Sequence, residues 1–259
     1  MNSPIRLGSL ENGAGLRYPS VTMKKAASVF ALALALLAAS GQALAQSSVV
    51  SQIAGDKAAS DRLYFGLKFG VSCSQLKGLG YGDRLGGFNF GLTATVRLAD
   101  KLSLSPEITL FSRKGATEIP FVTTGDPALD PYFADPTKSA LVLDYLEIPV
   151  RVMYRLGRFE LGGGPFVGFL HSASERYRAE LGTGEELLHV RDVTADYRNF
   201  NYGFVLEAAW IITKPRGGEG LVFHIRYQGG LADIVENPAA PGSVRTSGLQ
   251  VFLSFPFIR

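Results

Sequence analysis

The sequence contains a single cysteine, Cys73, in 259 residues. A lone cysteine excludes an internal disulfide, so no disulfide framework organises this chain. Cys73 falls on the apolar side of an alternating segment and reads as a small hydrophobe. Histidine is nearly as scarce: only His171, His189 and His224 are present. No Cys/His metal spacing exists, and no catalytic motif surrounds any of the three. Charge of either sign is sparse. The formal net charge is +3 and scattered, which excludes a nucleic-acid footprint. Long apolar runs are missing too: residues 26–39 fall well short of the roughly 20 that a spanning helix needs. What remains is a chain that is 46% hydrophobic, with 30 glycines and 17 phenylalanines. That composition is apolar and glycine-rich without being disordered.

The N-terminal region reads as an address. Met23-Lys24-Lys25 is a short basic start, residues 26–39 an apolar core, and Ala43-Leu44-Ala45 a small-x-small site. This is the pattern of a bacterial secretory signal, with cleavage between Ala45 and Gln46. Residues 1–22 match no part of it and are expected to be an upstream misreading, with Met23 as the true start. The expected division is therefore residues 1–22 extension, 23–45 signal peptide, 46–61 flexible periplasmic leader and 62–259 a single barrel domain.

The mature chain is dominated by period-two alternation. In residues 145–156, Leu146, Ile148, Val150, Val152, Tyr154 and Leu156 share one face; Tyr145, Glu147, Pro149, Arg151, Met153 and Arg155 share the other. Gly157-Arg158 then turns the chain, and residues 159–169 alternate again. Alternation of this length argues strand, and the two-residue glycine turn argues a hairpin. Six further segments behave alike: about 63–73, 88–98, 101–113, 200–212, 221–231 and 249–258. Connections after 98, 156 and 212 are short or moderate. Those at 78–87, 114–138, 173–199 and 232–246 are read as long loops. Strands of about nine to eleven residues can cross hydrocarbon when tilted about 45°. The expected fold is all-β: an eight-stranded antiparallel up-and-down transmembrane β-barrel after a cleaved signal peptide.

A soluble barrel would alternate too, so the polar face decides. On a soluble barrel it meets water and is dense in Lys, Glu and Asp. Here it is mainly Gly, Ser, Thr and Asn, which suit a narrow eight-stranded interior. The bulky, nearly charge-free face suits lipid, where an Arg costs about 2–4 kcal/mol at mid-bilayer. Tyr154, Phe159, Trp210 and Phe257 near the short turns, and Phe88, Phe169, Tyr202 and Tyr227 near the long loops, make two interfacial belts. Closure removes the strand edges that lipid would not tolerate. The last strand, residues 246–253, resembles the signal read by the barrel insertion machinery, although the chain ends Phe257-Ile258-Arg259 rather than on an aromatic.

Gly66-Leu67-Lys68-Phe69-Gly70, Leu146-Glu147-Ile148-Pro149-Val150 and Gly164-Pro165-Phe166-Val167-Gly168 together resemble the PorT-like outer-membrane β-barrel family, common in Bacteroidetes and relatives. The resemblance covers about residues 63–259. It implies an eight-stranded barrel in the bacterial outer membrane. It also implies a link to secretion and maturation of exported proteins, by analogy with the founding member.

The inward face is expected to carry Lys68, Arg97, Glu107, Arg113, Glu147, Arg151, Arg155, Glu160, Glu207, His224 and Arg226. Isolated buried charges are prohibitive, so opposite signs are expected to pair into a lumenal plug. The alternatives are a narrow pore, and a barrel enzyme acting on lipid or peptide at the rim near His171-Ser172. Asp126, Asp130 and Asp135 lack the ligand spacing of a calcium loop, and Gly162-Gly163-Gly164 opens a strand rather than the helix of a phosphate loop. No catalytic residue, metal or cofactor is therefore expected. The expected role is structural or interactive. The expected partners are outer-membrane lipid, the insertion machinery during biogenesis and an envelope or extracellular protein; nucleic acid is not among them.

Overall fold

The structure, a computed structural model, describes residues 63–180, 185–216, 219–236 and 242–257. The signal peptide, its Ala45/Gln46 cleavage site and the leader lie outside the described residues, as does the side chain of Phe257. Nine strands occur among the described residues: β1 Leu63–Lys77, β2 Asp83–Ala99, β3 Leu102–Thr117, β4 Ser139–Leu156, β5 Phe159–Glu180, β6 Glu186–Asp192, β7 Phe200–Arg216, β8 Glu219–Gly230 and β9 Arg245–Phe257. All neighbours are antiparallel. The order is β4-β3-β2-β1-β9-β8-β7-β5-β6, and β4 pairs with β5 to close the ring. Eight strands thus form a closed barrel, and β6 adds an extra strand to it.

β6 falls in a stretch read from sequence as a loop. β5 runs 22 residues, pairing β7 along Phe159–Phe169 and β6 along Ser174–Glu180. Only about eleven of those residues are needed to cross hydrocarbon, so the remainder projects beyond the lipid on the long-loop side. There the polarity of the two faces inverts. Ala173, Tyr177 and Ala179 are buried, while Ser174, Arg176 and Arg178 take the other face. The apolar outer stripe that signals a membrane strand therefore disappears although the strand continues.

Short turns and the two ends of the described chain share one end of the barrel. β2 reaches Ala99 before β3 begins at Leu102, and β4 ends at Leu156 before β5 begins at Phe159. Gly157 adopts φ +66°, the left-handed region that glycine enters without a Cβ clash. Phe65 of β1 pairs with Phe257 of β9 at this same end. In outer-membrane barrels the short turns face the periplasm, which orients the molecule. Phe159 stacks on Trp210 at this end, ring centroids 6.5 Å apart, and Phe169 meets Phe200 edge-on at 5.5 Å toward the other.

The barrel is closed above by an apolar cap. Leu141, Leu143, Tyr145 and Leu170 point inward and pack against Ile119, Phe133, Val193, Ile234 and Val244 from the loops. A smaller buried apolar cluster, Met153, Ala209, Ile211 and Val222, lies at the periplasmic mouth. Between them the lumen is mainly polar, with Phe166, Val205 and Phe252 buried among the charged groups.

Two register shifts decide which side chains enter that lumen. In β3, Gly91 pairs with Thr109 but Phe90 pairs with Phe111, so Leu110 is an extra residue. In β5, Tyr145 pairs with Leu170 but Asp144 pairs with Ser172, so His171 is extra. A bulge of one residue exchanges the faces of everything beyond it.

Candidate functional site: the lumenal charge network

At mid-barrel five charged side chains from five strands converge. Lys68 (β1), Glu107 (β3), Arg151 (β4), Glu207 (β7) and Arg226 (β8) are each at most 4% exposed. Each is placed there by the inward phase of its strand. Gly66 and Gly70 flank Lys68, and Gly203 lies one inward position beyond Val205 from Glu207. A Cβ on Gly70 would fall 2.4 Å from the Phe252 ring and 2.3 Å from the Val251 carbonyl, so this position stays bare to admit Phe252.

The two carboxylates are shared by all three cations. Lys68 Nζ donates to Glu107 Oε2 at 3.1 Å and to Glu207 Oε2 at 3.2 Å. Arg226 donates from Nη1 and Nη2 to Glu107, at 3.0 and 2.6 Å, and from Nε to Glu207 at 2.6 Å. Arg151 pairs with Glu107 at 2.8 Å and also with Glu207. Thr109 Oγ1 donates to Glu107 at 3.0 Å. Forked guanidinium contacts of this kind are the strong, geometrically specific ones.

A second layer lies toward the cap. Glu147 accepts from Lys114 Nζ at 2.9 Å, Ser112 Oγ at 2.7 Å and Gln228 Nε2 at 3.0 Å; Gln250 in turn donates to Gln228. The two layers hold four cations against three carboxylates. Aromatic faces meet the surplus: Lys68 and Arg226 lie 4.6 and 4.7 Å from the Phe252 centroid, and Lys114 lies 5.3 Å from Phe166. At the periplasmic mouth Arg155 pairs with Glu160 at 2.6 Å. Arg97 is half-buried at the same end, on the inward face of β2 beyond Thr95.

Arg113 does not join the network. The Leu110 bulge turns it outward, where it is 40% exposed and pairs with Asp144 at 3.0 Å. The same bulge turns Lys114 inward, a placement that uninterrupted alternation hides. His224 completes the central layer. Its Nδ1 lies 2.9 Å from Glu207 Oε1 and its Nε2 lies 2.7 Å from Ser254 Oγ. Carboxylate, imidazole and hydroxyl thus stand in the order of a nucleophilic relay. Two features weigh against that use. Three cations already neutralise Glu207, which leaves little field to support an imidazolium. The space beside Ser254 is about 40 Å³, enough for water and too small for an acyl substrate.

The loop acids serve their own turns. Asp130 accepts from the Thr124 hydroxyl at 2.6 Å, and Asp135 accepts from the Thr137 hydroxyl at 2.7 Å. Among the described residues no three His, Cys, Asp or Glu side chains gather as metal ligands. His171, the extra residue of the β5 bulge, is exposed on the outer side of the wall.

The family model described as "Outer membrane protein beta-barrel domain" matches residues 45–236. No curated protein sequence matches the chain. Among solved structures, the attachment invasion locus protein Ail of Yersinia pestis is 10% identical, with 76% of this chain and 99% of that chain covered and a TM-score of 0.38. Neisserial surface protein A is 12% identical, covering 74% and 96%, with a TM-score of 0.35. OprG of Pseudomonas aeruginosa is 15% identical, covering 78% and 96%, with a TM-score of 0.34. A closed eight-stranded antiparallel wall, a lipid-facing apolar face and a family match over most of its length lead to one conclusion: the chain belongs to the outer membrane protein beta-barrel domain family and resides in the bacterial outer membrane.

Proposed function

We propose that this protein is a non-enzymatic barrel whose interior is a structural lock. On this reading its role in the envelope is exercised at its ends, by the extracellular loops or the periplasmic rim, toward an envelope or extracellular protein. The observation that carries it is the central network, which ties five strands together across the lumen beneath an apolar cap. Eight strands leave an interior that side chains fill. The test is conductance of the purified barrel in planar bilayers. Negligible current is expected, and a stable single-channel current would refute the lock.

The finer assignment to the PorT-like branch, with a Bacteroidetes-type origin and a secretion-related role, rests on the residues of 66–70, 146–150 and 164–168, and the cleaved signal peptide on those of 23–45. Its test is deletion of the gene followed by measurement of exported protein maturation, with capture of partners from detergent-solubilised outer membrane. Unchanged maturation sinks it.

The Glu207–His224–Ser254 arrangement supports a second reading, a serine hydrolase in the central layer of the lumen. A fluorophosphonate probe separates the two. The lock predicts no labelling of Ser254; labelling lost in Ser254→Ala establishes the enzyme.

A further inference from the structure

Above the lipid, the outer surface of the barrel carries a groove of about 460 Å³ lined by residues of β2, β3, β4, β5 and β6. Its floor is apolar: Leu85 and Val142 are each buried to 9% exposure or less. Its walls carry Arg113, Lys138, Arg176 and Arg178, with Glu180 and Glu186 at the far end. The acids do not balance the bases. Lys138 pairs with Glu180 at 3.4 Å and Arg113 pairs with Asp144. Arg176 contacts only the Ser174 hydroxyl, at 3.3 Å, and Arg178 has no acidic partner among the described residues.

The height of these groups follows from the register. Arg113 and Asp144 sit one outward position above the exposed Phe111 and the outward Leu146. Ala140, four residues further along β4, pairs with Arg176. At about 3.4 Å per residue and about 45° of tilt, Arg176 stands roughly 10 Å above Asp144. Arg178 stands one outward position higher. The cations therefore occupy the headgroup layer, beside the apolar floor of Leu85 and Val142.

We infer that this groove binds the phosphorylated headgroup of an outer-leaflet lipid, with Arg176 and Arg178 gripping phosphate and Leu85 and Val142 receiving the adjoining apolar part. Guanidinium forks match phosphate oxygens in geometry and charge. Clustered cations beside hydrocarbon select anionic lipid, at a distance within the screening length of the membrane surface. The apolar floor favours a lipid over a free anion, which would gain nothing from Leu85 and Val142.

The test uses the folded full-length barrel, with bound lipid read by native mass spectrometry. Three probes are compared: bisphosphorylated lipid A, the same lipid with both phosphates removed, and inorganic phosphate. The bisphosphorylated lipid is expected to bind at least about tenfold more tightly than the dephosphorylated one, because two charge-assisted contacts are lost. Arg176→Gln/Arg178→Gln is expected to remove that difference, while Arg158→Gln, at the periplasmic turn, leaves it intact. Both substitutions lie on exposed or half-exposed surface and are expected to fold. Equal binding of the two lipids overturns the inference, as does a double variant that binds like wild type. Inorganic phosphate displacing the lipid at equal concentration also overturns it, by showing an anion site with no use for its apolar floor.

Discussion

The most informative perturbation is Glu207→Gln. It keeps the shape of the side chain and removes its charge. In the native barrel Glu207 accepts from Lys68, Arg151 and Arg226 and faces His224. After the change, Lys68, Arg151 and Arg226 share Glu107 alone, and the excess of buried positive charge in this layer rises from one to two. Removing one partner from a buried ion network costs about 3–5 kcal/mol. The chain supplies its own probe: its single tryptophan, Trp210, lies in the periplasmic belt and is half-exposed to lipid. Urea-titrated folding into thin-bilayer vesicles, followed by Trp210 fluorescence, gives the free energy. A second variant, Glu207→Gln/Lys68→Met, removes one of the stranded cations. It is expected to recover about 1–3 kcal/mol relative to the sum of the single changes. The reasoning fails if Glu207→Gln lies within about 1 kcal/mol of wild type, or if the double variant equals that sum.

Three further outcomes are expected. Gly70→Ala drives a Cβ into the Phe252 ring and the Val251 carbonyl and is expected to destabilise the barrel by about 1–3 kcal/mol, whereas Gly157→Asn at the open turn costs under about 1 kcal/mol; equal effects would contradict the packing. Lys114→Met strands buried Glu147 and is expected to cost about 3–5 kcal/mol, while Arg113→Ser breaks a part-exposed pair worth under about 1 kcal/mol. The reverse order would contradict the bulge at Leu110. In the extracellular loop, hydrogen bonds from the Thr124 hydroxyl, the Thr124 N–H and the Thr123 hydroxyl hold the partly exposed Asp130 carboxyl below its ordinary range. A carboxyl with a lowered folded pKa contributes order that is complete above its unfolded pKa and lost as pH falls through the folded one. The Thr124 amide is therefore expected to lose protection against hydrogen exchange on acidification below the usual aspartate range, relative to neighbouring strand amides. Unchanged relative protection would refute the turn.

Much of the barrel was legible because alternation survives wherever one face meets lipid. Glu147, Arg151, Glu207 and Arg226 could be placed inside from the period-two pattern, since no bulge separates them from the bulky lipid-facing residues of their own strands. Arg113 and Lys114 could not. Leu110-Phe111-Ser112 carries no glycine or proline to mark the extra residue, so the pattern passes through the bulge without a break. β6 and the upper half of β5 were invisible for a different reason. Their outer faces meet water, and the apolar signal moves to Ala173, Tyr177 and Ala179 on the inner face. The three-way sharing at Glu207 joins β1, β4, β7 and β8, and such convergence depends on shear and closure, which local pattern does not encode.

The inversion of polarity along β5 also dictates an order of assembly. The segment above Ser172 is inside-in and outside-wet, like a strand of an ordinary water-soluble domain; the segment below it is the opposite. Insertion starts from the periplasm, so the cap residues of β4, β5 and the loops must cross the bilayer before their apolar faces can meet. The ion network can close while the strands are still arriving, because its members lie within the lipid-spanning zone. The cap cannot. It is the last part of the molecule to form, on the far side of the membrane, and no chain that stalls in transit can present the finished extracellular surface.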